Sequence, residues 1–95
     1  MVEITWSPQA IEDLRSIQRY IGRDSPRFAV LIARKLVDAV ERLAAFPESG
    51  RVVPEIDDPG MREVVWRNYR IVYRVGGAAV EIVTVFHGAQ LFRGP

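Results

Sequence analysis

The hydrophobic period changes once along this chain, and that change restricts the fold more than any other feature. After a short strand, apolar residues up to about Phe46 recur at helical spacing; from about Met61 they alternate. A chain that passes from a period of 3.6 to a period of 2 makes helices first and strands afterwards. It then packs one set on the other as an α+β domain. With 95 residues there is room for one such domain, spanning 1–95.

Local signals place the elements. Val2 to Trp6 alternates and is rich in β-formers, which predicts a strand. Ser7-Pro8 predicts a helix N-cap followed by proline in the first turn, and Asp24-Ser25-Pro26 repeats that logic after Gly22. In the first helix Ala10, Leu14, Ile17 and Ile21 form one apolar stripe, with Arg15, Arg19 and Arg23 opposite. That arginine stripe is most simply a solvated helix face.

The second helix, to about Ala45, has an apolar arc about 200° wide, well beyond one core-facing stripe. It should be covered on two sides, by the first helix and by the sheet. Pro47 to Gly60 is a long connection with three prolines and two glycines, a length often associated with function. Three strands should follow: Arg62 to Trp66, Tyr69 to Val75, and Ala79 to about His87, the last two joined at Gly76-Gly77. The expected fold is α+β in the order β-α-α-β-β-β, a mostly antiparallel four-stranded sheet with a helical hairpin packed on one face.

Strand parity suggests a site. Tyr69, Ile71, Tyr73 and Val75 share one face, the more apolar, and should meet the helices; Arg70, Val72 and Arg74 share the other. Pairing across Gly76-Gly77 places Arg70 on the same side as Val83, Val85 and His87, unless a β-bulge intervenes. His87 should then project from an open sheet face near Arg70, with Glu55 in the preceding loop. An arginine that grips phosphate, a histidine that exchanges protons near neutral pH and a glutamate as base or orienting group would suit cleavage of an RNA phosphodiester by its 2′-hydroxyl. The same residues have a plain structural reading: a solvated histidine at a strand end and an arginine paired with a carboxylate.

Composition narrows the field. There is no cysteine, so disulfides, thiolate metal sites and cysteine nucleophiles are excluded. No metal cluster and no phosphate-binding glycine loop stands out, so no cofactor and no metal is expected. Lys+Arg 13 against Asp+Glu 12 gives a net charge of +1, low for a protein held on nucleic acid by phosphate neutralisation. Twelve of those basic residues are Arg, and Lys35 is the one lysine. Neither a signal peptide nor a membrane span is apparent.

Several pieces in order resemble one family. They are Trp6-Ser7-Pro8, Asp13-Leu14, Tyr20-Ile21, Phe46-Pro47, Gly50-Arg51, Pro54-Glu55 and Met61-Arg62-Glu63, then Tyr69-Arg70-Ile71-Val72-Tyr73-Arg74-Val75 and Val85-Phe86-His87-Gly88. Across nearly the whole chain this resembles the RelE/ParE superfamily of toxins from bacterial type II toxin–antitoxin modules. The resemblance implies a small cytoplasmic growth inhibitor, neutralised by a cognate antitoxin in a toxin–antitoxin hetero-oligomer. RelE-like members cleave mRNA on the ribosome, whereas ParE-like members inhibit DNA gyrase and lack the RNase residues.

Against the RelE pattern, Arg70 and roughly Arg62 match, but Val64 and Ala89 stand where basic residues fall, and Pro95 lies where the Tyr would be. Against the YoeB-like pattern, Glu55, Arg70 and His87 match the catalytic set, while Gly88 replaces a Tyr. The Gly50-Arg51…Pro54-Glu55 loop, His-Gly in place of His-Tyr, and the low net charge lean toward the ParE-like branch. The leading expectation is therefore a gyrase inhibitor that is not an enzyme. The alternative is a ribosome-dependent mRNA endonuclease carried by Glu55, Arg70 and His87. The exposed sheet face and residues Gly88 to Pro95 are the candidate gyrase contacts.

Overall fold

The computed structural model describes residues 1–88. Its elements are β1 (Glu3–Trp6), α1 (Pro8–Gly22), α2 (Pro26–Glu41), β2 (Arg51–Val52), β3 (Met61–Trp66), β4 (Tyr69–Gly76) and β5 (Ala79–His87), with a 3-10 turn over Arg42–Ala44 after α2. Both helices start as their sequences dictate. Ser7 Oγ accepts the Ala10 N–H at 3.0 Å and Ser25 Oγ accepts the Phe28 N–H at 3.1 Å. Each cap satisfies a first-turn donor that has no partner within its helix.

The strands form one sheet in the order β1-β5-β4-β3-β2. β1 runs parallel to β5, and the remaining pairs are antiparallel. The sheet thus has five strands where four were expected. The extra one, β2, pairs only Arg51 with Glu63 and Val52 with Arg62. Two residues inside a Pro- and Gly-rich connection are too few to show alternation.

The α1–α2 hairpin covers one face. Ala10, Ile32, Leu36, Ala39, Val40 and Leu43 pack on Ile71, Tyr73, Val80, Ile82 and Val85, all of them buried. This matches the predicted parity of β4. The width of the α2 arc is matched by less cover than expected, because Phe28, Val30 and Leu31 stay about half exposed. No described helix is long and apolar enough to cross a membrane.

The opposite face is not open. The connection after β2 folds across it, and Val53 and Ile56 pack on Met61, Val72, Val83 and Phe86 as a second, smaller core. The expectation of an uncovered back face is therefore corrected. Antiparallel strands without a second helical layer still have apolar residues to bury there, and the long loop supplies the cover.

Candidate functional site

Four hydrogen bonds hold the loop down. Arg62 reaches from β3 and donates from Nε to the Pro59 carbonyl at 3.1 Å, and from Nη1 to the Glu48 carbonyl at 3.3 Å and the Gly50 carbonyl at 3.0 Å. The buried Tyr73 hydroxyl accepts the Gly50 N–H at 2.9 Å. Burial also pushes the Tyr73 phenol up from its ordinary pKa. Gly50 lies so close to β3 and β4 that an added Cβ would sit 2.5 Å from the Glu63 carbonyl oxygen. Only glycine allows that approach.

Pinned in this way, the loop sets Glu55 over Arg70. Arg70 Nη1 and Nη2 donate to the two Glu55 carboxylate oxygens at 2.7 and 2.8 Å, a two-pronged pair. Arg70 Nε donates to Glu63 Oε1 at 2.6 Å. The other Glu63 oxygen accepts from Arg51 Nε at 2.5 Å. The Glu63 side chain is wholly buried, whereas that of Arg51 is 60% exposed. The Arg70 guanidinium also lies 5.1 Å from the centre of the Phe86 ring. The result is a chain of alternating charges, Glu55–Arg70–Glu63–Arg51, whose middle pair is buried and whose ends reach solvent.

The electrostatics follow from these bonds. Hydrogen bonds from Arg70 are the main reason the Glu55 carboxyl is held down at about 2, helped by its own backbone N–H. The Arg70 guanidinium is in turn pushed above its ordinary value by Glu55 and then Glu63, against the effect of burial. A carboxylate held that low is a weak general base at neutral pH. Moreover, every guanidinium nitrogen of Arg70 already faces a carboxylate.

His87 is placed elsewhere. The β4–β5 register shifts between Val72 and Tyr73, with Val83 as the extra residue of a β-bulge: Tyr73 pairs with Ile82, but Val72 pairs with Thr84. Beyond it Arg70 faces Phe86 and Tyr69 faces His87. The His87 ring meets Tyr69 edge to face, centres 5.7 Å apart. It borders a cleft of about 470 Å³ between α1 and the sheet, with Asp13, Ile17 and Tyr20. The expectation that His87 projects beside Arg70 is overturned, because one inserted residue reverses the parity of everything after it. Of the three residues proposed for RNA cleavage, Glu55 and Arg70 bond directly; His87 packs its ring on Tyr69 and borders both the α1 cleft and a second cleft that Arg70 also lines.

Arg51 and Glu63 belong to the site and were missed in the sequence. Glu63 carried a signal: it falls at an inward position of an apolar strand, and a buried carboxylate demands a cation. Arg51 carried none, because β2 itself was invisible. Other surfaces are also set by these elements. Arg51, Arg67, Arg70 and His87 border a cleft of about 390 Å³ beside the β3–β4 turn. Arg67 adopts φ 52 at that turn, and its guanidinium lies 5.2 Å from the Trp66 ring centre. On the helices Ile11, Tyr20, Phe28, Val30 and Leu31 are exposed. The Arg15, Arg19 and Arg23 stripe is solvated, with Arg19 bonded to Glu12 at 2.6 Å. Gly88 is described, its N–H bonded to the Asn68 carbonyl, while the other candidate contacts, 89–95, lie outside the described residues. Among the described residues no group of three or more His, Asp or Glu is placed to hold a metal.

The family model for the ParE toxin of the type II toxin–antitoxin system parDE matches residues 4–92. The chain belongs to the ParE toxin family. Relatives agree with that placement within the RelE/ParE superfamily. Toxin RelE2 of Caulobacter vibrioides is 38% identical over 92 residues, covering 96% of this chain and 100% of its own. Putative toxin Y4kP of Sinorhizobium fredii is 37% identical over 93 residues, covering 92% and 88%. The ParE-type fold also recurs in solved structures. A chain of the chromosomal ParDE toxin–antitoxin system of P. aeruginosa superposes with a TM-score of 0.76 at 23% identity, over 92% of this chain and 96% of the other. A chain of the RelBE2 toxin–antitoxin complex of Mycobacterium tuberculosis gives 0.66 at 21% identity, over 90% and 96%.

Proposed function

We propose that this ParE-family toxin arrests growth by binding DNA gyrase rather than by cutting RNA, and that a cognate antitoxin neutralises it in a hetero-oligomeric complex. The closed ion network carries this reading. Glu55 and Arg70 match residues of an RNase pattern, yet each is occupied by the other. A phosphate would have to displace two carboxylates to reach Arg70, and the His87 ring packs on Tyr69 rather than in the ion network. What remains accessible is surface suited to protein contact: Arg67 at the β3–β4 turn, beside the half-buried Trp66, and the exposed apolar side chains of the helical hairpin. The latter also suit an antitoxin segment, as do the structural neighbours, which come from ParDE and RelBE2 toxin–antitoxin systems.

Two assays on the purified full-length chain test the proposal together. One follows gyrase supercoiling and accumulation of cleaved DNA; the other follows mRNA cleavage on translating ribosomes. The expected result is gyrase inhibition with no ribosome-dependent cleavage, retained in His87→Ala. Cleavage that disappears in both Arg70→Ala and His87→Ala overturns it in favour of an endonuclease. Inactivity in both assays overturns the gyrase reading without supporting the RNase.

A further inference from the structure

The face on which His87 stands is set by a helix far from it in sequence. β1 ends at Trp6, so beyond Ile82 the outer edge of β5 has no strand beside it. The start of α1 takes that place. The Ser7 N–H donates to the Ile82 carbonyl at 2.9 Å, and Ser7 Oγ donates to the Val83 carbonyl at 2.8 Å. Asp13 Oδ2 accepts the Thr84 hydroxyl at 2.5 Å and the Val85 N–H at 3.0 Å. Gln9 Nε2 holds the other Asp13 oxygen at 2.7 Å. Two consecutive carbonyls, Ile82 and Val83, thus face outward, which happens at a bulge and not in a regular strand.

The alternative register is easily written. Extending the pairing of the hairpin end without the bulge would set Ile71 against Thr84, Arg70 against Val85 and Tyr69 against Phe86. Core position 85 would be filled by Thr84, which has nearly the shape of valine. Phe86 would replace His87 against Tyr69, and His87 would turn to the Arg70 side. On the helix side the exchange is nearly even, but Phe86 would leave the smaller core and the Arg70 guanidinium, and Val85 would take its place. What separates them is the hydroxyl placed in the core, the Phe86 packing lost from the smaller core, and the bonds made by Ser7 and Asp13.

We infer that Asp13 is a positioning residue that locks β5 in its bulged register, and so decides whether His87 stands against Tyr69 or joins Arg70 and Glu55. The inference does not depend on which cellular target the toxin binds. It is tested by NMR on the full-length chain, through contacts between the Tyr69 ring and the rings of Phe86 and His87. The wild type should show the Tyr69–His87 contact. Asp13→Ala should lose it and gain a Tyr69–Phe86 contact, with an otherwise retained core. The double exchange Thr84→Val with Val85→Thr should do the same. It keeps the composition, removes the hydroxyl that Asp13 binds and rewards the other register. Deletion of Val83 supplies the reference spectrum of the unbulged strand. If Asp13→Ala folds with the Tyr69–His87 contact intact, Asp13 is merely structural and the inference fails. If that variant does not fold, the double exchange decides. Retention of the wild-type contact there, or its failure to fold, equally overturns the claim of a second accessible register.

Discussion

Removing the Arg70 side chain tests the ion network most directly. Glu63 has no exposed side-chain surface, and Arg70 supplies the buried half of its charge compensation. Breaking a buried pair by deleting one partner costs about 3–5 kcal/mol when the remaining charge is left uncompensated. Here Arg51 still reaches the second Glu63 oxygen, though from a side chain largely in water. That places Arg70→Ala near the lower end, about 3 kcal/mol. For a domain of this size, about 4–8 °C of Tm accompanies each kcal/mol, so the midpoint should fall by roughly 12–24 °C. Arg51→Ala, which leaves the buried partner in place, should cost only about 1 kcal/mol. Thermal and urea unfolding followed by circular dichroism measure both. The double variant Arg70→Met with Glu63→Leu supplies a control, since replacing both charges by apolar groups should recover most of the loss. An Arg70→Ala chain within about 1 kcal/mol of wild type would refute the reasoning, because a carboxylate with no exposed surface cannot lose its buried cation so cheaply.

The loop contacts give further expectations. Gly50→Ala should destabilise by about 2 kcal/mol through the clash with β3 and should loosen the loop, visible as faster proteolysis within Pro47 to Gly60. Tyr73→Phe strands the Gly50 N–H in the interior and should cost about 1–3 kcal/mol by the same unfolding assays. The Glu55 carboxyl sits at about 2 in the folded chain against an ordinary 4.5, so its contribution is fully present above about 4.5 and is lost as pH falls toward about 2. Glu55→Gln should flatten the stability profile over that window, measured as urea midpoints against pH.

Much of the architecture could be read from local chemistry. Ser7-Pro8 and Ser25-Pro26 announced both helix starts because capping involves neighbours three residues apart. Gly76-Gly77 announced the β4–β5 turn, and Gly77 indeed takes φ 56. The parity of Tyr69 to Val75 correctly identified the strand face that meets the helices. What escaped were long-range events. β2 is a strand only because β3 offers an edge to it. The bulge in β5 depends on Ser7 and Asp13, more than seventy residues away, and no local pattern marks Val83 as an extra residue. That single insertion turned the His87 ring onto Tyr69, which is why the chemistry of the candidate site was less legible than its scaffold. The Glu55–Arg70 contact itself agrees with the pairing of arginine and carboxylate that residue types alone suggested.

The parallel pairing of β1 with β5 has a consequence for how the molecule comes into being. Thr5 and Ser7 reach partners at Val80 and Val83, so the first strand has no neighbour until Ala79 to Ile82 have been made. Contacts of such long sequence separation form slowly, since a large loop must close before they contribute. During vectorial synthesis the amino-terminal segment and helices must wait, their apolar stripe available to chaperones or to a binding protein already present. The helical hairpin is therefore made well before the sheet that covers its apolar face can be completed.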